Sequence, residues 1–244
     1  MRNKLIKLFA SDGFVIFSGL IVAPLLSIIL LSLSPENPLF TSISRMIWVN
    51  NLWLVTFIWA AVLMSIIAIL TYRMAKTGSL EGKKRKRFMK WQLLCIILVF
   101  VASLIFPAKD GVEKVRFVNY VHDYLTVAAW LMYVIGLIGY SFNTLKKDRF
   151  LGELGLGLLG FTVISSIFFL MRVIDPNSYV GASAVSEIYI INNLLIYLVV
   201  MCVAQKERMS SQREQVIGEA APEPKKTDVP SDCSGESVKS LGIE

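Results

Sequence analysis

The chain has 244 residues, of which 55% are hydrophobic and 18% are charged, and its formal net charge is +7. Soluble globular chains average about 45–50% apolar and about 25% charged residues. The composition therefore excludes a disordered chain, a disulfide-stapled miniprotein and an ordinary soluble enzyme, and it indicates an integral membrane protein.

Six apolar segments approach the length of about 20 residues that a helix needs to cross a bilayer. Each is predicted to be helical because lipid offers the backbone no hydrogen-bond partner. The third segment is short and reaches full length only if Phe88 and Met89 extend it. The predicted fold is all-α, a polytopic bundle of six transmembrane helices. The predicted spans are 14–33, 52–72, 91–106, 121–142, 151–171 and 188–204.

The basic residues predict how the bundle is oriented. With the N-terminus inside, 20 of the 25 lysines and arginines fall on inner segments and five on outer segments. Such an excess is typical of cytoplasmic loops. We therefore expect a multi-pass protein of the cell membrane with both termini in the cytoplasm. Because topology accounts for the positive charge, no nucleic-acid partner is predicted.

The chain changes character after the sixth span. Residues 205–217 are polar and charged, and they are predicted to continue the helix into the cytoplasm. Residues 218–244 contain three prolines and few large apolar side chains, which predicts a disordered tail. The predicted domains are thus a membrane domain at 1–204, a helical extension at 205–217 and a tail at 218–244.

The inventory of reactive side chains is small. His122 is the one histidine, and the three cysteines are Cys95, Cys202 and Cys233. A zinc or di-metal site needs several ligands within reach of one another, and no Walker loop, Rossmann glycine set or zinc-protease motif occurs. We predict no metal, no cofactor and no catalytic residue.

Polar residues gather at the predicted outer ends of the last three spans. Ionisable groups so close to hydrocarbon are costly, which makes each of them a functional candidate. Their shared depth predicts a single layer that is either a functional site or a hydrogen-bonded network between helices. The candidates in this outer cluster are Arg116, Asn119, His122, Asp123, Arg172 and Glu187.

Two spans carry polar faces at helical spacing. One runs along the fourth span from His122 through Tyr133 to Tyr140, and the other includes Asn193 and Tyr197 on the sixth. Together they either line a crevice that opens outward or supply hydrogen bonds between helices. The second interpretation is favoured, because such bonds are common in membrane bundles.

The densest run of positive charge precedes the third span. Basic clusters beside a span attract anionic headgroups, at about 1 kcal/mol per residue near the surface. The run therefore predicts contact with anionic membrane lipids at the inner face, and the alternative is that it only enforces topology. It consists of Lys83, Lys84, Arg85, Lys86 and Arg87.

Short motifs at three places in the chain carry a family resemblance. They are the loop 33–45 with its two prolines, Phe106-Pro107 followed by His122, and Gly181 with Ser186-Glu187 before the sixth span. Over 14–204 this set resembles the six-span prokaryotic membrane proteins of domain-of-unknown-function family 998. It is more distantly similar to the DRAM-like membrane proteins of eukaryotes.

The resemblance implies six helices and a location in the inner or plasma membrane, without an associated reaction. The family shows an acidic residue followed by arginine at the start of its sixth span. Here Glu187 matches the acid, but Ile188 stands in the place of the arginine. This departure weakens any ion-pair role that the resemblance would imply for Glu187.

The leading functional interpretation is a non-enzymatic membrane protein that acts through lipid or protein contacts at the outer cluster, with a membrane-protein partner of unspecified identity. The alternative is a small transporter or permease-like protein for a polar solute or a proton. Ionisable residues are absent at mid-depth and Pro24 is the only helix breaker well inside a span, which argues against coupled transport. A third interpretation is a membrane hydrolase or transferase that uses His122 with Asp123 or Glu187 as acid and base.

Overall fold

The computed structural model describes residues 11–38, 42–48, 52–105, 116–174 and 184–220. These residues form an all-α structure, and six of its helices are long and apolar enough to cross a membrane. The predicted fold class is therefore confirmed. Helix α1 has three parts, which are Asp12–Phe17, the π-helical turn Ser18–Val22 and Ala23–Ser32. The helices that follow are α2 (Ile43–Trp48), α3 (Trp53–Thr77), α4 (Gly82–Ile105), α5 (Arg116–Leu145), α6 (Arg149–Ile174) and α7 (Ala184–Ala220).

Two helices extend well beyond their predicted spans. Helix α4 begins at Gly82, so the basic run forms its first turns and is not a loop. Lysine and arginine are good helix formers, and hydropathy alone does not register them as part of a span. Helix α7 likewise continues past residue 204 as far as Ala220. The predicted disordered tail falls largely on 221–244, outside the described residues.

Pro24 is accommodated by a local change of helix type. A proline inside an α-helix lacks one N–H donor and crowds the preceding turn. Here the π-helical turn Ser18–Val22 comes just before it, and the Ala23 N–H donates to the Ser18 carbonyl, five residues back. Such single π-turns insert an extra residue into a helix. The span therefore continues through the proline instead of breaking there.

Large apolar side chains cover the outside of the bundle. Those of Phe17, Ile28, Leu54, Ile135 and Phe161 are all more than half exposed. Soluble proteins rarely expose contiguous apolar surface on this scale. Together with six spanning helices, this surface makes the chain a multi-pass membrane protein.

Helix α7 supplies the centre of the bundle. Half of its apolar stretch is buried, a larger share than in any other span. Leu194, Leu198 and Met201 have no solvent-exposed surface. A Cβ atom added to Gly19 of α1 would press on the Val199 side chain. Glycine at position 19 therefore allows α1 to lie close against this central helix.

Contacts between helix ends define the two ends of the bundle. At one end, Asp12 of α1 meets Arg73 of α3 and Lys206 of α7. At the other end, Ile43 of α2 meets Glu187 of α7. We call the first the basic end, because the basic run on α4 also lies there, and the second the opposite end.

Candidate functional site

The outer cluster maps to the opposite end of the bundle. Its members lie on α5 (Arg116, Asn119, His122 and Asp123), on α6 (Arg172) and on α7 (Glu187). The side chains of Arg116, Asn119, Asp123 and Arg172 lie outside the described part of the structure. A single layer formed by all six residues therefore stays a prediction.

The two described members of the outer cluster are both engaged in contacts. His122 is buried and makes interactions. One carboxylate oxygen of Glu187 accepts a hydrogen bond of 3.3 Å from the Ile43 backbone N–H. This contact ties the short helix α2 to the first turn of α7. Glu187 therefore has a structural role, whatever else the cluster does.

The polar face of the fourth span points into the bundle. The Tyr133 hydroxyl lies 2.7 Å from Thr71 Oγ1 on α3. The Tyr197 hydroxyl of α7 lies 3.0 Å from Ser141 Oγ on α5. All four side chains are buried. These contacts support the interpretation that the polar faces connect helices to one another.

A second hydrogen-bonded group lies nearer the basic end. The Tyr140 hydroxyl donates to the Met74 carbonyl oxygen at 2.8 Å and lies 2.8 Å from the Gln205 side-chain amide. The Gln205 atom at this distance is the side-chain oxygen Oε1, which accepts, so the single hydroxyl proton is shared between the Met74 and Gln205 oxygens. The buried hydroxyl then links α3, α5 and α7.

Ion pairs at the basic end join α1, α3 and α7 to one another, and join α7 to the connection between α5 and α6. Asp12 accepts from Arg73 at 3.2 Å and from Lys206 at 2.5 Å. The Arg73 side chain is only 12% exposed, so the carboxylate offsets a cation that is largely removed from water. A further pair joins Asp148, in the connection between α5 and α6, to Arg208 of α7. Sequence reasoning missed Asp12, because no motif surrounds it.

An exposed pair joins two connecting segments at the same end. Lys147 Nζ lies 2.7 Å from a carboxylate oxygen of Glu81. The hydrogen bond and the charge of Lys147 lower the pKa of the Glu81 carboxyl below its usual value. Nearby, Ser79 Oγ lies 3.0 Å from Thr144 Oγ1. The loops before α4 and before α6 are thereby held side by side.

The cations at the start of α4 are different, because five of them, four from the basic run together with Lys90, line two grooves. Lys83, Lys84 and Arg87 line a groove between α4 and α5. Lys86 and Lys90 line a second groove, between α3 and α4. In the part of the chain that the structure describes, no carboxylate forms an ion pair with any of these five residues.

The α4–α5 groove has a volume of about 430 Å³. We call Lys83, Lys84 and Arg87 its cationic rim. Its apolar floor consists of Phe88, Trp91, Gly136 and Gly139, and Leu80 and Tyr140 complete the lining.

Local packing fixes the shape of the α4–α5 groove. The Gln92 amide donates to the Tyr133 carbonyl at 3.2 Å. A Cβ atom on Gly136 would collide with this amide, so glycine permits the close approach of the two helices. A Cβ atom on Gly139 would meet nothing within 4 Å. The floor at Gly139 is therefore open space and not packed core.

No group of three or more His, Cys, Asp or Glu side chains able to hold a metal ion occurs among the described residues. The two described cysteines, Cys95 and Cys202, are buried and free. The Cys202 thiol lies 3.2 Å from the Leu70 carbonyl oxygen, to which it donates. Both cysteines therefore behave as small core residues.

Comparison with protein-family models, with curated proteins and with solved structures finds no match to this chain.

Proposed function

We propose that this chain is a non-enzymatic protein of a cell membrane that acts through contacts with anionic lipids at its basic end. The cations of the cationic rim carry the proposal, because they have no carboxylate partner among the described residues. They occupy the first turns of a spanning helix, and Trp91 follows one turn later. Tryptophan favours the headgroup layer, and cations at that depth attract anionic lipid.

The interior of the bundle favours binding over transport. Four of its buried polar side chains bond across helices in two pairs, Thr71 with Tyr133 and Ser141 with Tyr197. A transport path needs polar groups that face a space near the middle of the membrane. The two grooves instead lie at the surface of the bundle and are lined by exposed side chains such as Trp91 and Tyr72. Lipid contact at the surface is the activity that this arrangement supports best.

We further propose that the basic end, and with it both termini, is cytoplasmic. The excess of basic residues on that end supports this orientation. A cysteine introduced at Lys84, in a chain whose native cysteines are replaced by serine, provides the test in intact cells. A membrane-impermeant maleimide should leave it unlabelled until the cells are lysed. Labelling without lysis would reverse the orientation.

The lipid preference is measured on the full chain reconstituted into vesicles. Spin-labelled phosphatidylglycerol and spin-labelled phosphatidylcholine report how much of each lipid is held at the protein surface. We expect a several-fold preference for phosphatidylglycerol in the wild type, since each rim cation adds about 1 kcal/mol near the surface. The variant K83Q/K84Q/R87Q should lose most of it.

The matched control removes the same charge elsewhere. K225Q/K226Q/K239Q neutralises three lysines near the C-terminus and should retain the wild-type preference. Equal immobilisation of the two lipids by the wild type would contradict the proposal. An equal loss in both triple variants would show that net charge, and not the basic end, sets the preference.

A further inference from the structure

The two grooves beside α4 differ in what they offer a lipid. The α4–α5 groove combines three cations with an aromatic and glycine-lined floor, and its volume is about 430 Å³. The α3–α4 groove is smaller, about 310 Å³, and has the two cations Lys86 and Lys90. Small-molecule sites in proteins occupy about 300–1,000 Å³. The α4–α5 groove is thus the better candidate for holding one molecule in place.

The α4–α5 groove also changes from charged to apolar along the helix axis. Lys84 and Trp91 are seven residues apart, which is about 10 Å along a helix. The cations therefore lie toward the basic end, and the floor begins at Phe88 and reaches Trp91 about 10 Å farther from Lys84 along the helix. Among membrane components, a phospholipid has this succession, with its phosphate above and its acyl chains below. Its headgroup must carry net negative charge, because the rim has no described counterion.

The fixed walls of the α4–α5 groove argue for a discrete site. Phe88 packs on Tyr140 with ring centroids 5.2 Å apart, and the Trp91 indole N–H donates to the Met132 carbonyl at 3.4 Å. Both contacts join α4 to α5, so the floor is preformed. At Gly139 the floor has space for an acyl chain, because a Cβ atom there would meet nothing within 4 Å.

We infer that the α4–α5 groove is a binding site for one anionic phospholipid, with its phosphate at the cationic rim and an acyl chain along the apolar floor. This inference rests on the proposed function and sharpens it from a general preference to one site. A ring of loosely attracted lipids would follow charge alone. A discrete site depends on both the rim and the space at Gly139.

Two pairs of variants distinguish a discrete site from lipids attracted by charge alone. K83Q/R87Q removes two rim cations spaced four residues apart, and K86Q/K90Q removes two cations of the same spacing that line the other groove. G139L fills the floor without changing charge. Its control is G157L, because Gly157 of α6 is also exposed and a Cβ atom there also meets nothing within 4 Å.

The readout is native mass spectrometry of the full chain in detergent, titrated with phosphatidylglycerol or with phosphatidylcholine of the same acyl chains. We expect one phosphatidylglycerol retained per wild-type chain, and little phosphatidylcholine. K83Q/R87Q and G139L should each weaken this retention roughly tenfold or more. K86Q/K90Q and G157L should retain it, and all four variants should keep the wild-type melting temperature.

Three results would overturn the site. Equal weakening in the two double variants would mean diffuse attraction, and an unchanged G139L would mean that no acyl chain lies on the floor. Retention of phosphatidylcholine as strong as that of phosphatidylglycerol would mean that the rim does not select charge. After either of the first two results the vesicle preference for anionic lipid persists, so the site fails while the proposed function stands. After the third, the vesicle measurement shows whether the proposed function fails as well.

Discussion

The two ends of the bundle are held together by different interactions. At the basic end, Asp12 offsets Arg73 and Lys206, and a further pair joins Asp148 to Arg208. At the opposite end, α2 and α7 are linked by a hydrogen bond from the Ile43 N–H to Glu187, and the apolar side chains of Met46 and Ile47 of α2 are buried.

The basic end contains two kinds of cation. Arg73, Lys206 and Arg208 meet carboxylates between helices, so they stabilise the bundle. Lys83 and Arg87 meet none in the described part of the chain, so they are available to a ligand. Net charge alone does not distinguish the two kinds. What distinguishes them is whether each cation forms an ion pair with a carboxylate.

The largest effect is expected at the ion pairs of Asp12. Asp12→Asn leaves the largely buried Arg73 guanidinium beside a neutral amide. Removing one partner of a buried pair costs about 3–5 kcal/mol, and an exposed pair contributes about 0–1 kcal/mol. Since Asp12 is 39% exposed and Arg73 12% exposed, we expect a loss of about 2 kcal/mol. Denaturation in detergent, followed by circular dichroism, measures it.

The control for Asp12→Asn is an ion pair in which both partners are exposed. Arg149 and Glu153 lie 2.7 Å apart on α6, with side chains 87% and 56% exposed. Glu153→Gln should cost no more than about 0.5 kcal/mol. Equal losses in the two variants would mean that the position of Asp12 between three helices has no special importance.

The sequence predicts the fold well and the sites only in part. Span number follows from apolar length alone, because lipid leaves the backbone no alternative to helix. The Asp12–Arg73 pair depends on how α1 and α3 are rotated, and hydropathy carries no information on rotation. The same holds for Gly139, whose place beside the cationic rim depends on the packing of α4 against α5. The basic run, in contrast, is predicted from the sequence, because its charged residues are consecutive.

A smaller loss is expected at the opposite end. Glu187→Gln replaces a charged acceptor of the Ile43 N–H by a neutral one, and the bond is long at 3.3 Å. Charge-assisted hydrogen bonds contribute about 1.5–3 kcal/mol and neutral ones about 1 kcal/mol, so we expect a loss of about 1 kcal/mol.

A double-mutant cycle of Glu187→Ala with His122→Ala tests whether the outer cluster forms one layer. In one network the double variant should lose less stability than the sum of the single variants. Chemical denaturation in the same detergent gives all four values. Additive losses would mean that the two residues act independently, and the single-layer prediction would then be wrong.

The exposed pair of Glu81 and Lys147 should show its effect only through pH. Because Lys147 lowers the pKa of Glu81 in the folded protein, the pair contributes stability above the ordinary carboxyl pKa of about 4.3 and loses it as the pH falls through the lowered value. Glu81→Gln should therefore be slightly less stable than the wild type at pH 7. The two curves should converge at acidic pH. A difference that grows on acidification would contradict the assignment.

The smallest effect is expected at the cationic rim, where K83Q/R87Q should leave stability within about 0.5 kcal/mol of the wild type in neutral detergent. Lys83 and Arg87 are exposed and have no described ion pair, so their removal leaves no carboxylate unpaired.

Adding phosphatidylglycerol should then reveal a difference in thermal stability between the wild type and K83Q/R87Q. The wild type should gain thermal stability because ligands that bind the folded state stabilise it, and the variant should gain less. A large loss in lipid-free detergent would show that the rim cations stabilise the bundle as Arg73 does, and the division between paired and available cations would fail.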